Sequence, residues 1–449
     1  MPSWTDYLSH ASRRLGKISQ ETDKSRTVFQ RDYDRIIFFD AFRRLQNKTQ
    51  VLPVPKSDEV RNRLTHSLET ASVGRSLGFL AGQFLLKKYP ALSGGLHFRP
   101  EDFGHMVSAA ALTHDIGNPP FGHEGEKAVQ QFFHSPKAEK YLQNLNPKQI
   151  EDFRRFEGNA AGFRILAHTH GNSPRIQGGL RLSLGTYGAF VKYPREVAFH
   201  PEKTKNASQK KYGIFQAELP VFEQIAKQLH LIKQHSPEYR AWKRFPLAFL
   251  TEAADDICYS IIDYEDAFHL GFIDEKTVRE KLEELAALTK EQNEIYRQIP
   301  GSKQQIAYLR SYAINRLINE TVEIFKDREE EIREGTFDTA LTSRLPKEIN
   351  ELLQQIKKES REKYYNHPSV LKNEAGGKTV LPFLLEKFLA AQFDPDNHKQ
   401  YARLMPEIYR QSTSDYDKIL DTVMFVTGMS DRQAVDWFRN FNGIQLVEY

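Results

Sequence analysis

The chain has 449 residues, 39% of them apolar and 27% charged, a balance that fits a globular fold and excludes a fibrous or wholly disordered one. Its 63 Lys and Arg against 59 Asp and Glu leave a net charge of +4, too small a bias to argue for a nucleic-acid partner. A single cysteine, Cys258, excludes a disulfide within the chain and fits a reducing compartment. No apolar run approaches the roughly 20 residues that span a bilayer, and MPSWTDYLSHASRRLGK at the start has no apolar stretch; the expectation is a cytoplasmic protein with no signal peptide and no membrane contact.

Helical periodicity dominates, and the predicted fold class is all-α. DRIIFFDAFRRL (34–45) reads as a helix with an apolar stripe of Ile37, Phe38, Phe42 and Leu45. Residues 65–89 continue as a helix in which Ala71, Ser72, Gly74 and Gly78 allow close approach of a neighbour. An apolar helix over 102–117 is ended by Gly117 and Pro119-Pro120. Residues 171–216, rich in Gly, Pro, Lys and Arg, read as loop and short helix with a mobile basic tip at 200–212. A long buried helix over 245–271 follows, with Phe245, Phe249, Phe268 and Cys258 as core. Residues 273–335 read as two charged helices split near Pro300-Gly301; Gly94-Gly95 and Gly376-Gly377 are polar breaks, and Ser430 is the N-cap of a final helix. The expected organisation is an N-terminal extension (1–30), a catalytic core (31–272, with 171–216 inserted) and a C-terminal helical region (273–449).

ALTHDIGNPPFGHEGEKA (110–127) carries chemistry at a density unusual for a core. Adjacent residues on a helix project about 100° apart, so His114 and Asp115 can share a cation only in a groove completed by other helices. His66, in NRLTHSLE, and Asp255, in EAADDICYSIID, are the candidates. His, His-Asp and Asp form a mixed nitrogen and oxygen set suited to a catalytic divalent cation. Each residue alone reads as ordinary helix content, but burying all four without a cation or ion pairing is costly. Asp255 rather than Asp256 is the expected ligand, since Asp255, Tyr259 and Asp263 share one face at i, i+4 and i+8; Asp256 is expected to pair with a Lys or Arg. Past the prolines, His123 and Glu126 stand at i and i+3 on one face, and Arg63 lies at i−3 from His66.

The ordered set H…HD…D resembles the HD-domain metal-dependent phosphohydrolases, and more specifically the deoxynucleoside triphosphate triphosphohydrolases of the bacterial dGTPase type. The matching segments are FQRDYDRIIFFDAFRRLQNKTQVLP (29–53), RLTHSLETASVGR (63–75), HDIGNPPFGHEGE (114–126), FEGNAAGFRIL (156–166), LGTYGAFVKYP (184–194), EAADDICYSIIDYEDA (252–267) and GMSDRQAVDWFRNFNG (428–443), so the resemblance covers most of the chain.

The resemblance implies cleavage of a dNTP between the 5′-oxygen and the α-phosphorus, with dGTP the favoured substrate. It implies one divalent ion (Mn, Mg, Co, Fe or Zn) on His66, His114, Asp115 and Asp255, with His123 as general acid oriented by Glu126. Tyr259 is implied to pack on the deoxyribose where a 2′-hydroxyl clashes, Asp263 to accept from the 3′-hydroxyl, and Gln50 to lie near the base and the 3′-oxygen. Arg63 suits bidentate phosphate binding. Asn118 departs from relatives with His there; it can hydrogen-bond phosphate but cannot supply a proton. Lys192, Lys211 and Tyr212 of the basic loop are further phosphate candidates. Implied partners are other copies of the chain, as a hexamer or tetramer, and single-stranded DNA or a second nucleotide as effector. Two rival readings are an HD phosphodiesterase or nucleotidase on another phosphate ester, against which Gln50, Tyr259 and Asp263 argue, and a nucleic-acid binder using the basic loop.

Overall fold

The computed structural model describes residues 1–15, 25–51, 60–168, 179–199 and 206–444. Most of them are helical, as expected. The sheet among them is a two-stranded antiparallel hairpin that pairs Lys233 with Trp242 and Gln234 with Ala241.

Helix α1 (Val28–Ile37) starts in a capping box, Thr27 accepting from the Gln30 N–H while Gln30 accepts from the Thr27 N–H. The expected single helix over 34–45 is broken. Phe39 is extended, which resets the periodicity, so Ile36, Phe42 and Leu45 are buried while Phe38 is 80% exposed. Helix α2 (Arg63–Lys88) is capped by the Asn62 side chain on the Thr65 N–H and packs along α3 (Pro100–Thr113). The approach is close: a Cβ on Gly78 would sit 2.5 Å from the Phe103 carbonyl oxygen. Gly74 also faces α3, but Ser72 is exposed and takes no part in this packing.

Helix α3 is buried on nearly every side, between α2, α1 and two later helices, α6 (Leu184–Phe190) and α7 (Ala248–His269). It ends at Thr113, four residues earlier than expected, so His114 and Asp115 stand in a turn at the C-terminal end of the most enclosed helix of the site. The two prolines then separate α3 from α4 (Gly122–Phe133), which opens at Phe121 in left-handed backbone (φ 64°). Helix α5 (Gly158–Ala167) lies against this turn.

Two apolar cores result. One runs from Trp4 to Tyr364 and includes α2, α3 and α7; Phe245, Phe249 and Cys258 are in it, with Phe268 at its edge. The other joins α4 to three C-terminal helices, α8 (Pro368–Phe393), α9 (Asp415–Thr427) and α10 (Asp431–Phe441). Arg164 of α5 is tied between Glu218 and Asp421 of α9 (2.9 Å to the latter), an ion pair nearly closed to water. Ser430 caps α10 as expected.

Three further expectations need correction. Residues 273–335 form more than two helices, because Ala287 turns left-handed and Thr289 begins a new capping box; the segments are Glu275–Ala286, Lys290–Gln298, Ser302–Asp327 and Glu329–Arg333. Gly376-Gly377 is no break but lies inside α8. Of the basic tip, 200–205 lies outside the described residues; the remainder is anchored, with Ser208 donating to Asp338 (2.7 Å) and Ala207, Ser208 and Tyr212 buried.

Candidate active site

Helices α2, α3 and α7 bring His66, His114 and Asp255 together so that one donor atom of each lies within 4.8 Å of the others. His66 Nε2 is 3.3 Å and His114 Nε2 3.5 Å from Asp255 Oδ1. His114 Nδ1 donates to the Ala111 carbonyl (2.7 Å), leaving its Nε2 lone pair aimed at the cluster. Two imidazoles and a carboxylate are the donors a borderline divalent cation takes, so the residues fit such an ion. Burial alone lowers the pKa of His66, but the hydrogen bond and charge of Asp255 outweigh it and raise it to about 9. Burial raises the carboxyl of Asp255, yet the two histidines and Lys192 hold it well below the usual carboxylate range.

Asp115 stands beside this triad. Its Oδ1 lies 3.6 Å from His114 Nε2, and its carboxylate is taken by the Arg63 guanidinium and the Asn118 amide. Arg63 and its neighbours overcome burial and hold the Asp115 carboxyl down to about 2. Arg63 and Asn118, expected to meet phosphate, thus share a wall of the site with Asp115.

Across the proline turn, the His123 ring is 75% exposed while Glu126 beneath it is buried. His123 Nδ1 meets Glu126 Oε2 at 2.8 Å, and Glu126 Oε1 accepts from the Gly158 N–H at 2.7 Å. The carboxylate is therefore fixed by α5, and Nε2 of His123 is left facing outward. Lys211 sits behind the pair, 2.9 Å from Glu157 and 3.6 Å from Glu126. Burial and the charge of Glu126 raise the carboxyl of Glu157. Lys211 is committed to these carboxylates, and Tyr212 points away, donating to the Asp152 carbonyl.

His66, His114, Asp115, Arg63, Asn118, His123, Lys211 and Asp255 border one cavity of about 460 Å³, into which Gln50, Lys192 and Tyr259 also face, while Glu126, Glu157 and Tyr212 lie behind its wall. The Oε1 atom of Gln50 is buried and has no hydrogen-bond partner among the described residues, an acceptor awaiting a donor. Tyr259 is 41% exposed, its ring stacked on Tyr365 (centroids 5.7 Å apart). Asp263 is buried behind it, off the cavity wall, accepting from the Tyr365 hydroxyl (2.8 Å). Asp256 has Thr342 as its hydrogen-bond partner (2.5 Å), a hydroxyl where a Lys or Arg was expected.

Sequence reasoning missed the far wall. Tyr365, Val370 and Glu374 come from the end of a π-helical turn (Ser360–Tyr365) and the start of α8. Missed too was Glu252, which sits one turn before Asp255 and is held by Arg244 (2.6 Å) and Lys192 (3.3 Å). The carboxylate of Glu252 was visible in EAADD; nothing in KYYNHPSVLKNE marked the other three.

The HD domain family model matches residues 63–179. A deoxyguanosinetriphosphate triphosphohydrolase-like protein of Synechocystis sp. is 41% identical over 456 residues, covering 99% of this chain and all of that relative. Proteins of the same description from Pseudomonas aeruginosa (35% identical, 98% of both chains) and Listeria monocytogenes (30%, 98% of this chain and 99% of the relative) match equally fully. No helix among the described residues is long and apolar enough to cross a membrane. Relatives this similar over the whole chain, with the HD motif built as a His–His–Asp cluster in the cavity, show that the chain belongs to the deoxyguanosinetriphosphate triphosphohydrolase-like family of HD-domain hydrolases.

Proposed function

We propose that the protein hydrolyses deoxynucleoside triphosphates to deoxynucleoside and inorganic triphosphate, dGTP being the preferred substrate. The observation that carries this reading is the meeting, in one cavity, of the His66–His114–Asp255 cluster, the His123 ring backed by Glu126, and the Tyr259 ring. A divalent cation (Mn, Mg, Co, Fe or Zn) held by His66, His114, Asp255 and the adjoining Asp115 would supply Lewis acidity toward the α-phosphate and lower the pKa of a water.

The chain's own groups do the rest. Arg63 stands where an α- or β-phosphate oxygen can share its fork with Asp115. Glu126 fixes the Nδ1–H form of His123, so a protonated ring presents Nε2–H to the 5′-oxygen. The bond between that oxygen and phosphorus breaks, the oxygen takes the proton, and the oxygen of water stays on the triphosphate. Tyr259 packs against the sugar where a 2′-hydroxyl would collide, and Gln50 offers its free acceptor to the 3′-hydroxyl or the base. Assembly into a hexamer or tetramer, and an effector role for single-stranded DNA or a second nucleotide, belong to the same reading.

The test is incubation of the purified protein with each dNTP and rNTP and Mn²⁺, with the products separated by ion exchange. Deoxynucleoside and triphosphate are expected, in excess over ribonucleoside. Equal turnover of GTP and dGTP, or release of orthophosphate or pyrophosphate instead of triphosphate, refutes the reading and favours a general HD phosphohydrolase.

A further inference from the structure

The segment GMSDRQAVDWFRNFNG has no part in the chemistry above, yet its turn holds two residues of the cavity wall, Thr49 and Phe121. Asp431, the first residue of α10, is buried. Its Oδ2 accepts from the N–H (3.0 Å) and the hydroxyl of Thr49, and its Oδ1 accepts from the N–H of Phe121 (3.1 Å). Lys48 is equally buried, and its Nζ donates to the carbonyls of Asn118 (2.5 Å) and Thr427 (3.0 Å). The turn between α9 and α10 thus grips two separate stretches, 48–49 and 118–121. Gln50 follows the first by one residue and His123 follows the second by two.

Phe121 is the critical point of this grip. It holds left-handed backbone that a non-glycine residue adopts only at a cost, so its conformation must be imposed by its surroundings. Asp431 fixes its N–H, and α8 fixes its ring: a Cβ on Gly377 would lie 2.8 Å from Phe121 Cγ. Because Phe121 is the N-cap residue of α4, its backbone angle sets the direction in which the first turn, with His123, leaves the proline loop.

We propose that Asp431 and Lys48 are positioning residues of the active site, through which the α9–α10 turn sets the place of His123 against the substrate. This rests on the reading of His123 as the acid. A purely structural role predicts something different: less folded protein, but normal turnover in each folded, metal-loaded molecule.

The experiment measures kcat, KM, bound Mn²⁺ and melting temperature for Asp431→Ala, Asp431→Asn, Lys48→Met, His123→Ala and the Asp431→Ala/His123→Ala double variant, using the best dNTP substrate. A misplacement near 1 Å costs about 10²-fold in rate, so Asp431→Ala is expected to lower kcat roughly 10- to 100-fold, with KM within about threefold and metal retained. Asp431→Asn keeps the shape and one acceptor and should recover part of the loss; it decides the matter where the alanine variant does not fold. In the His123→Ala background, Asp431→Ala should add less than about twofold. Normal kcat per metal-loaded Asp431→Ala and Asp431→Asn molecule beside a collapsed His123→Ala overturns the positioning role alone, as does a fully multiplicative double variant. Normal kcat in His123→Ala overturns the acid assignment and this inference with it.

Discussion

Replacing Gly117 by alanine probes how the metal-side turn and the His123–Glu126 pair are held in register. A Cβ at Gly117 would stand 2.1 Å from both the Gly158 carbonyl oxygen and the Gly162 nitrogen, where ordinary contact begins at 3.4 Å. Either α5 or the 114–118 turn must therefore retreat by about 1.3 Å. Both are backbone, so no side-chain rotation relieves the clash. If α5 moves, the Gly158 N–H leaves Glu126; if the turn moves, His114 and Asp115 leave Asp255. A shift near 1 Å costs about 10²-fold in rate, and overpacking costs about 1–3 kcal/mol of stability. The expected result is kcat lowered about 10²-fold with a lower melting temperature, measured by steady-state hydrolysis and calorimetry on the same sample. Unchanged kcat and melting temperature in Gly117→Ala would refute the claim that contact between the turn and α5 fixes the site.

Gly376 is the matched opposite: it lies within α8, and a methyl placed there would have no described atom within 4 Å, so Gly376→Ala should stabilise by about 0.5–1 kcal/mol in chemical denaturation. His123→Ala and Glu126→Ala should each lower kcat by roughly 10²- to 10⁴-fold while metal stays bound, and the two losses should not multiply, since Glu126 acts through His123; loss of metal in either, read by elemental analysis, contradicts this. In the metal-free protein His66 titrates near pH 9, above its ordinary 6.5, and an incoming cation must displace that proton; apparent metal affinity should climb about tenfold per pH unit between those values and level off above, by calorimetric titration. Burial pushes Asp263 up to about 7 from 3.8. The folded state therefore keeps a proton the unfolded chain loses, and stability falls as pH rises across that window. Asp263→Asn should accordingly stabilise the metal-free protein by ~2–4 kcal/mol at pH 8 and by little at pH 3.5, as read from urea midpoints.

What the sequence revealed was whatever one helix or turn encodes by itself. The Asp255–Tyr259–Asp263 face and the His123–Glu126 pair are consequences of a 3.6-residue period, and the proline break is a consequence of missing N–H groups. Phe38 was misassigned because counting by period assumes an unbroken helix, and one extended residue at Phe39 voids the count. Gly376-Gly377 looked like a break because glycine is a weak helix former; tertiary packing of α8 on α4 overrides that propensity, and Gly377 is needed to admit the Phe121 ring. The far wall escaped notice for another reason. Tyr365 meets Tyr259 from 106 positions away, and no local pattern records such a meeting. Asp115 lies between the two cases: its adjacency to His114 was plain, but its sharing by Arg63 and Asn118 depends on how two helices cross.

The burial of α3 on nearly every side has a consequence for motion. A helix with so little free surface does not readily tilt or unwind alone; opening it disturbs α1, α2, α6 and α7 packed around it. His114 and Asp115, attached to its end, therefore share its restraint. The opposite wall, where α8 contributes its first turns and Tyr259 meets water, has no such enclosure. Movement at the cavity thus falls to that wall, while the wall that carries His114 and Asp115 acts as a fixed anvil.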